Sequence, residues 1–160
     1  MKVRRNSVGG RALLVSARTA PGVSADFAPS ATVRALVRMA LPPSEFPRGG
    51  EVGVKFAASG EMAEMNAKFR GKPGPTDVLS FSYESGDGRI VGDIAVCPEV
   101  VRENARSDGA DFAAMMAQAV AHGALHLAGR RHDTAENARE MAADEARILG
   151  ACGFARPELF

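Results

Sequence analysis

The chain has 160 residues, of which 46% are hydrophobic and 24% charged. That supplies one well-filled core and leaves little room for a second domain. With a formal net charge of +1, a nucleic-acid partner can be met only by a local basic patch, and no stretch approaches the roughly 20 apolar residues of a membrane span.

The chain opens on MKVRRNSVGG, which is basic, but the apolar run that follows is only Ala12 to Val15. A secretory signal needs an apolar region of about 7–15 residues, so residues 1–10 read as a loose tail of a cytoplasmic protein, residues 11–155 as one domain and residues 156–160 as a second tail. Residues 12–17 predict a first strand. Ser30 is placed to cap a helix over 31–41, with Val33, Leu36, Val37 and Ala40 at helical spacing. The proline- and glycine-punctuated segment 42–50 predicts a loop. In 51–57, Val52, Val54 and Phe56 alternate with Gly53, Lys55 and Ala57, as a half-buried strand requires.

Ser59 predicts a cap for a helix over 60–70, with Glu61 and Glu64 near its positive end. Residues 71–75 (GKPGP) stop it. Strands over 77–83 and 90–97, joined by a turn at 84–89, suggest a hairpin. Pro98 opens a helix to about Ser107. Residues 110–128, rich in alanine and methionine, predict a central helix that is apolar on most sides, and a last helix covers about 135–150. Methionines along 113–121 read as core. Cys97 and Cys152 form no CxxC unit and are expected to be reduced thiols. The class is α+β: a small mixed sheet of about four strands packed with helices, with a metal site at the end of the central helix.

The three histidines of the chain all lie in AHGALHLAGRRHD, spaced His-x3-His-x5-His. Residues four apart share a helix face, so His122 and His126 can converge on one ion at the usual Zn–N distance of about 2.0–2.1 Å. Gly129 accepts the left-handed conformation that ends a helix and lets the chain bring His132 to the same ion. Zinc is the preferred ion, one per chain, although imidazole also suits copper, iron and nickel. Catalytic zinc sites keep three protein ligands and an open position; Asp133 or Cys152 closing the shell is the minority expectation.

The same spacing occurs in metzincin proteases, which need a glutamate directly after the first histidine as general base. Gly123 stands there, and a glycine cannot move a proton.

Around these histidines the chain resembles the YbeY family of bacterial endoribonucleases. The matching blocks are HGALHLAG with His132, NAKFRGKPGPTDVLSFSY at 66–83 and VGDIAVCPEV at 91–100. The resemblance spans about residues 50–150. It implies one α+β domain, a zinc ion on three histidines, hydrolysis of single-stranded RNA in ribosomal RNA maturation, and a small-ribosomal-subunit partner. It matches Arg70 to the family's functional arginine. The chain departs from the family in having Arg130-Arg131 in place of a tyrosine-aspartate pair before the third histidine, with Asp133 just after it, and in having Ser82 in place of a proline.

Phosphodiester hydrolysis adds negative charge to the phosphoryl oxygens, so it needs cations aimed there. A guanidinium forks onto such oxygens, yet taken alone Arg70 reads as a solvated cation that offsets the dipole at a helix end; it is the resemblance that makes Arg70 and His122 the candidate catalytic residues. Lys68, Lys72, Arg130 and Arg131 form a candidate basic rim for RNA, and Asp133 is a candidate acceptor that orients a metal-bound histidine. Asn66 and Asp93 lie in the matched blocks and read as a helix-surface amide and a strand-end cap. Two other functions stand beside the nuclease: a metallopeptidase-like hydrolase, disfavoured by Gly123, and a non-catalytic RNA- or ribosome-binding factor with a structural zinc.

Overall fold

The computed structural model describes residues 12–155 and Pro157. The expected tails lie outside these residues, Pro157 apart. In chain order the elements are β1 (Leu13–Thr19), α1 (Ser30–Ala40), β2 (Gly50–Phe56), α2 (Ser59–Arg70), β3 (Val78–Tyr83), β4 (Ile90–Val96), α3 (Pro98–Asp108), α4 (Phe112–Leu127) and α5 (Ala135–Ala151). The sheet order is β1-β2-β4-β3. β1 and β4 run parallel to β2, while β3 pairs antiparallel with β4. The fold is therefore the expected α+β arrangement with a four-stranded mixed sheet.

Alternation decides which face of each strand is buried. Val52, Val54 and Phe56 of β2 and Ile94 and Val96 of β4 enter the main core, where they meet α1, α4 and α5. The opposite face carries a smaller cluster built from Met62, Leu79, Ala95 and Cys97, so α2 and α3 cover only part of it. Both cysteines are free thiols. No helix of the described residues is long and apolar enough to cross a membrane.

Two expected caps are corrected. Ser30 and Ser59 are the first residues of α1 and α2, whose N-caps are Pro29 and Ala58 without side-chain hydrogen bonds. Serine suits the cap and the first turn alike, and sequence does not separate the two. By contrast α4 begins one residue after Asp111, whose carboxylate accepts from the Ala114 amide at 2.9 Å.

α4 lies against the sheet so closely that side chains are excluded at the contact. A Cβ on Gly123 would stand 2.6 Å from Ile94 Cγ2 and 3.1 Å from Ser80 Oγ and Val78 Cγ2, and the Ser80 hydroxyl donates to the Gly123 carbonyl at 2.8 Å. Gly123 thus faces β3 and β4, and a glutamate there has no room. We expect Gly123→Glu to lower stability by about 3 kcal/mol or more, from overpacking together with a buried carboxylate. Denaturant titration checks this; a variant as stable as the parent would contradict the packing account.

Candidate metal centre and its cleft

His122 and His126 lie one turn apart near the C-terminal end of α4. The turn that follows is fixed by two hydrogen bonds, Gly129 N–H to His126 O and Arg130 N–H to Leu125 O, both 3.0 Å, with Gly129 at φ +87°. This is the Schellman end of a helix. Thr134 then caps α5 by accepting from the Asn137 amide at 3.1 Å. His132 sits between these two fixed points and turns back over α4.

The ligand nitrogens of His122, His126 and His132 all lie within 4.8 Å of one another, and among the described residues no carboxylate or thiol adds a fourth ligand atom to this cluster. The two Nε2 atoms of His122 and His126 are 3.0 Å apart, close to the roughly 3.3 Å edge of a tetrahedron with Zn–N bonds of about 2.05 Å. Burial first, and then the neighbouring His122 and His132, hold His126 below the usual histidine range. It is therefore neutral near pH 7, as a ligand must be. The donor set and its spacing fit a divalent metal ion.

The tautomer of His122 follows from its neighbour. Its Nδ1 lies 2.7 Å from Glu145 Oε1, and a carboxylate can only accept, so Nδ1 carries a proton and Nε2 is the nitrogen left to face the centre. Glu145 is 4% exposed, and its Oε2 accepts from Gln118 Nε2 at 3.0 Å. Gln118 and His122 are one turn apart on α4 and grip the same carboxylate from α5. Sequence reasoning missed Glu145 and Gln118. We expect Glu145→Gln to keep the fold and weaken metal binding roughly 10–100-fold, as loss of such an outer partner does; competition with a metallochromic chelator measures it, and unchanged affinity would remove Glu145 from the site.

Asp133, expected to accept from a metal-bound histidine, is placed differently. Its carboxylate accepts from Asn137 Nδ2 at 2.8 Å, a bond that holds its acid below the usual carboxylate range. It braces the start of α5, and the carboxylate that orients a histidine is that of Glu145. Cys152 lies elsewhere, its thiol 3.8 Å from Met39 Sδ.

A cleft of about 1120 Å³ opens over the three histidines and is also lined by Arg70, Phe69, Phe81 and Glu145. Arg70 is the last residue of α2, which Gly71 ends at φ +64°. The loop beyond is held by Asn66, whose Nδ2 donates to the Gly74 carbonyl at 2.8 Å. Asn66 is buried, so it positions this loop from inside and is not a helix-surface amide. Asp93 lies mid-strand in β4 and accepts from the Tyr83 hydroxyl at 3.0 Å; it is not a strand-end cap. Lys68, Lys72 and Arg131 are exposed outside the cleft lining. Arg130 pairs with Asp144 at 3.2 Å and Glu45 at 3.8 Å, so RNA would have to compete with two carboxylates for it.

The sequence profile described as Endoribonuclease YbeY matches residues 21–153. The chain belongs to the YbeY endoribonuclease family. Membership places it among RNA-cleaving hydrolases. A YbeY endoribonuclease of Burkholderia cenocepacia is 36% identical over 137 residues, which is 84% of this chain and 79% of that one. That of Halorhodospira halophila is 40% identical over 116 residues, covering 69% and 75%. The solution structure of TM1509 from Thermotoga maritima superposes with a TM-score of 0.58 at 28% identity, over 85% of this chain and 90% of the other.

Proposed function

We propose that the chain is a zinc-dependent endoribonuclease that hydrolyses single-stranded RNA in the cytoplasm, during ribosomal RNA maturation and assembly of the small ribosomal subunit. The observation that carries the chemistry is the meeting of three imidazoles and one guanidinium in a single cleft. His122, His126 and His132 hold one ion. Zinc fits the all-nitrogen donor set, and once bound it supplies a Lewis acid and activates water at neutral pH.

The protein does the rest by position. Glu145 and Gln118 keep His122 in the Nδ1–H tautomer. Arg70 reaches from the end of α2 and donates to the phosphoryl oxygens as their charge grows. Lys68, Lys72 and Arg131 meet flanking phosphates as exposed point charges. The peptidase alternative needs a base at position 123, where packing admits no side chain. A purely structural metal is disfavoured because the three histidines open onto the cleft that Arg70 also lines, whereas structural sites are closed. The test is RNA cleavage by metal-analysed protein before and after chelation. Loss on chelation and recovery with zinc are expected; cleavage indifferent to chelation would overturn the reading.

A further inference from the structure

The sheet face that α2 and α3 leave partly open carries a second concavity of about 320 Å³, within the size range of small-molecule sites. Its floor is one cross-strand row: Ser16 opposite Gly53, Gly53 opposite Asp93, and Asp93 opposite Phe81. The missing side chain at Gly53 makes the depth, since a Cβ there would stand 2.6 Å from Asp93 Oδ1. One wall is aromatic. Phe69 and Tyr83 are 57% and 52% exposed, high for such large rings, and Phe69 packs edge-on against Phe81 with centroids 5.1 Å apart.

Phe69, Phe81 and Tyr83 line both this groove and the metal cleft. The two depressions therefore adjoin at edge strand β3. Building on the endoribonuclease reading, we propose that the groove is a nucleobase subsite for the RNA strand as it leaves the cleft, and that it selects a base bearing an exocyclic amino group. The aromatic wall offers faces on which a base can stack. Asp93 accepts from the Tyr83 hydroxyl through Oδ2, which leaves Oδ1 over the glycine floor. A carboxylate there accepts from an amino group, as from N4 of cytosine, and repels phosphate and carbonyl oxygens. Cytosine is favoured over uracil, which differs by presenting an oxygen where cytosine presents the amine. The adjoining cations divide in the same way. Lys55 is paired with Glu61, whereas Arg18 makes no ion pair among the described residues and lines the groove, where it can meet the neighbouring phosphate.

The test is equilibrium binding of fluorescent oligocytidine and oligouridine of equal length to the full chain, with chelator present to prevent cleavage. The wild type should bind oligocytidine about fivefold or more tighter, the lower end of the range for a specific base contact. Asp93→Asn, which offers both a donor and an acceptor, should bring the ratio close to one. Phe69→Leu should weaken both oligomers about fivefold or more and leave their ratio unchanged. Both residues are exposed, and both variants should melt with the wild type. A wild-type ratio of one, or a ratio that Asp93→Asn does not alter, overturns the subsite even if the zinc-loaded wild type cleaves RNA. Failure of the wild type to bind either oligomer also overturns the subsite, whereas failure of the endoribonuclease reading shows separately, as no RNA cleavage by the zinc-loaded wild type.

Discussion

Protein in which His126 is replaced by alanine should be purified without stoichiometric metal and should not cleave RNA above background. His126 is the middle ligand, with Nε2 3.0 Å from that of His122, and its removal leaves two imidazoles where three converge. Outer partners of a metal site are worth about 10–100-fold in affinity; a direct ligand is worth more. Elemental analysis of protein prepared without chelator or nickel resin gives the metal content, and a single-turnover assay gives the rate. Retention of one ion per chain in the variant would remove His126 from the centre.

Arg70→Ala should behave differently. It should keep its metal and its fold, because Arg70 is exposed at the last position of α2 and Gly71 ends that helix without it. What it should lose is rate. A donor that strengthens its contact as phosphoryl charge develops acts on the transition state more than on bound substrate, and removal of one such preorganised donor costs about 10²–10³ in the rate constant. Arg70→Lys should recover only part of this, since an ammonium cannot make the forked contact. Single-turnover rates at saturating RNA, with metal content measured for each variant, separate the two steps. A rate for Arg70→Ala equal to that of the wild type would leave the arginine no part in the chemistry.

The metal centre was legible because local rules build most of it. Four-residue spacing put His122 and His126 on one face, and Gly129 announced the turn that returns His132. The strands were legible from alternation, and β3 and β4 from the turn between them. The carboxylate that orients His122 was harder to read. Glu145 lies 23 residues beyond its partner, on a different helix, and helix pairing is a tertiary fact. A signal did exist: Met141, Ile148 and Leu149 form the buried stripe of α5, and Glu145 falls on that stripe at helical spacing. A charged residue on an apolar face needs a buried partner, and the histidines were the obvious candidates. Asn66 repeats the pattern on α2, one turn after the buried Met62. Asp133 misled for the opposite reason. Its closeness to His132 in sequence suggested a role at the metal, yet the short loop spends that carboxylate on Asn137.

The most direct test of the central claim is single-turnover cleavage of a labelled, unstructured RNA by wild-type protein and by His122→Ala, each assayed for metal and for folding. Cleavage by the zinc-loaded wild type, loss on chelation, recovery on adding zinc, and neither metal nor cleavage in the folded variant are expected. Equal cleavage by the wild type and by the metal-free variant would contradict that claim.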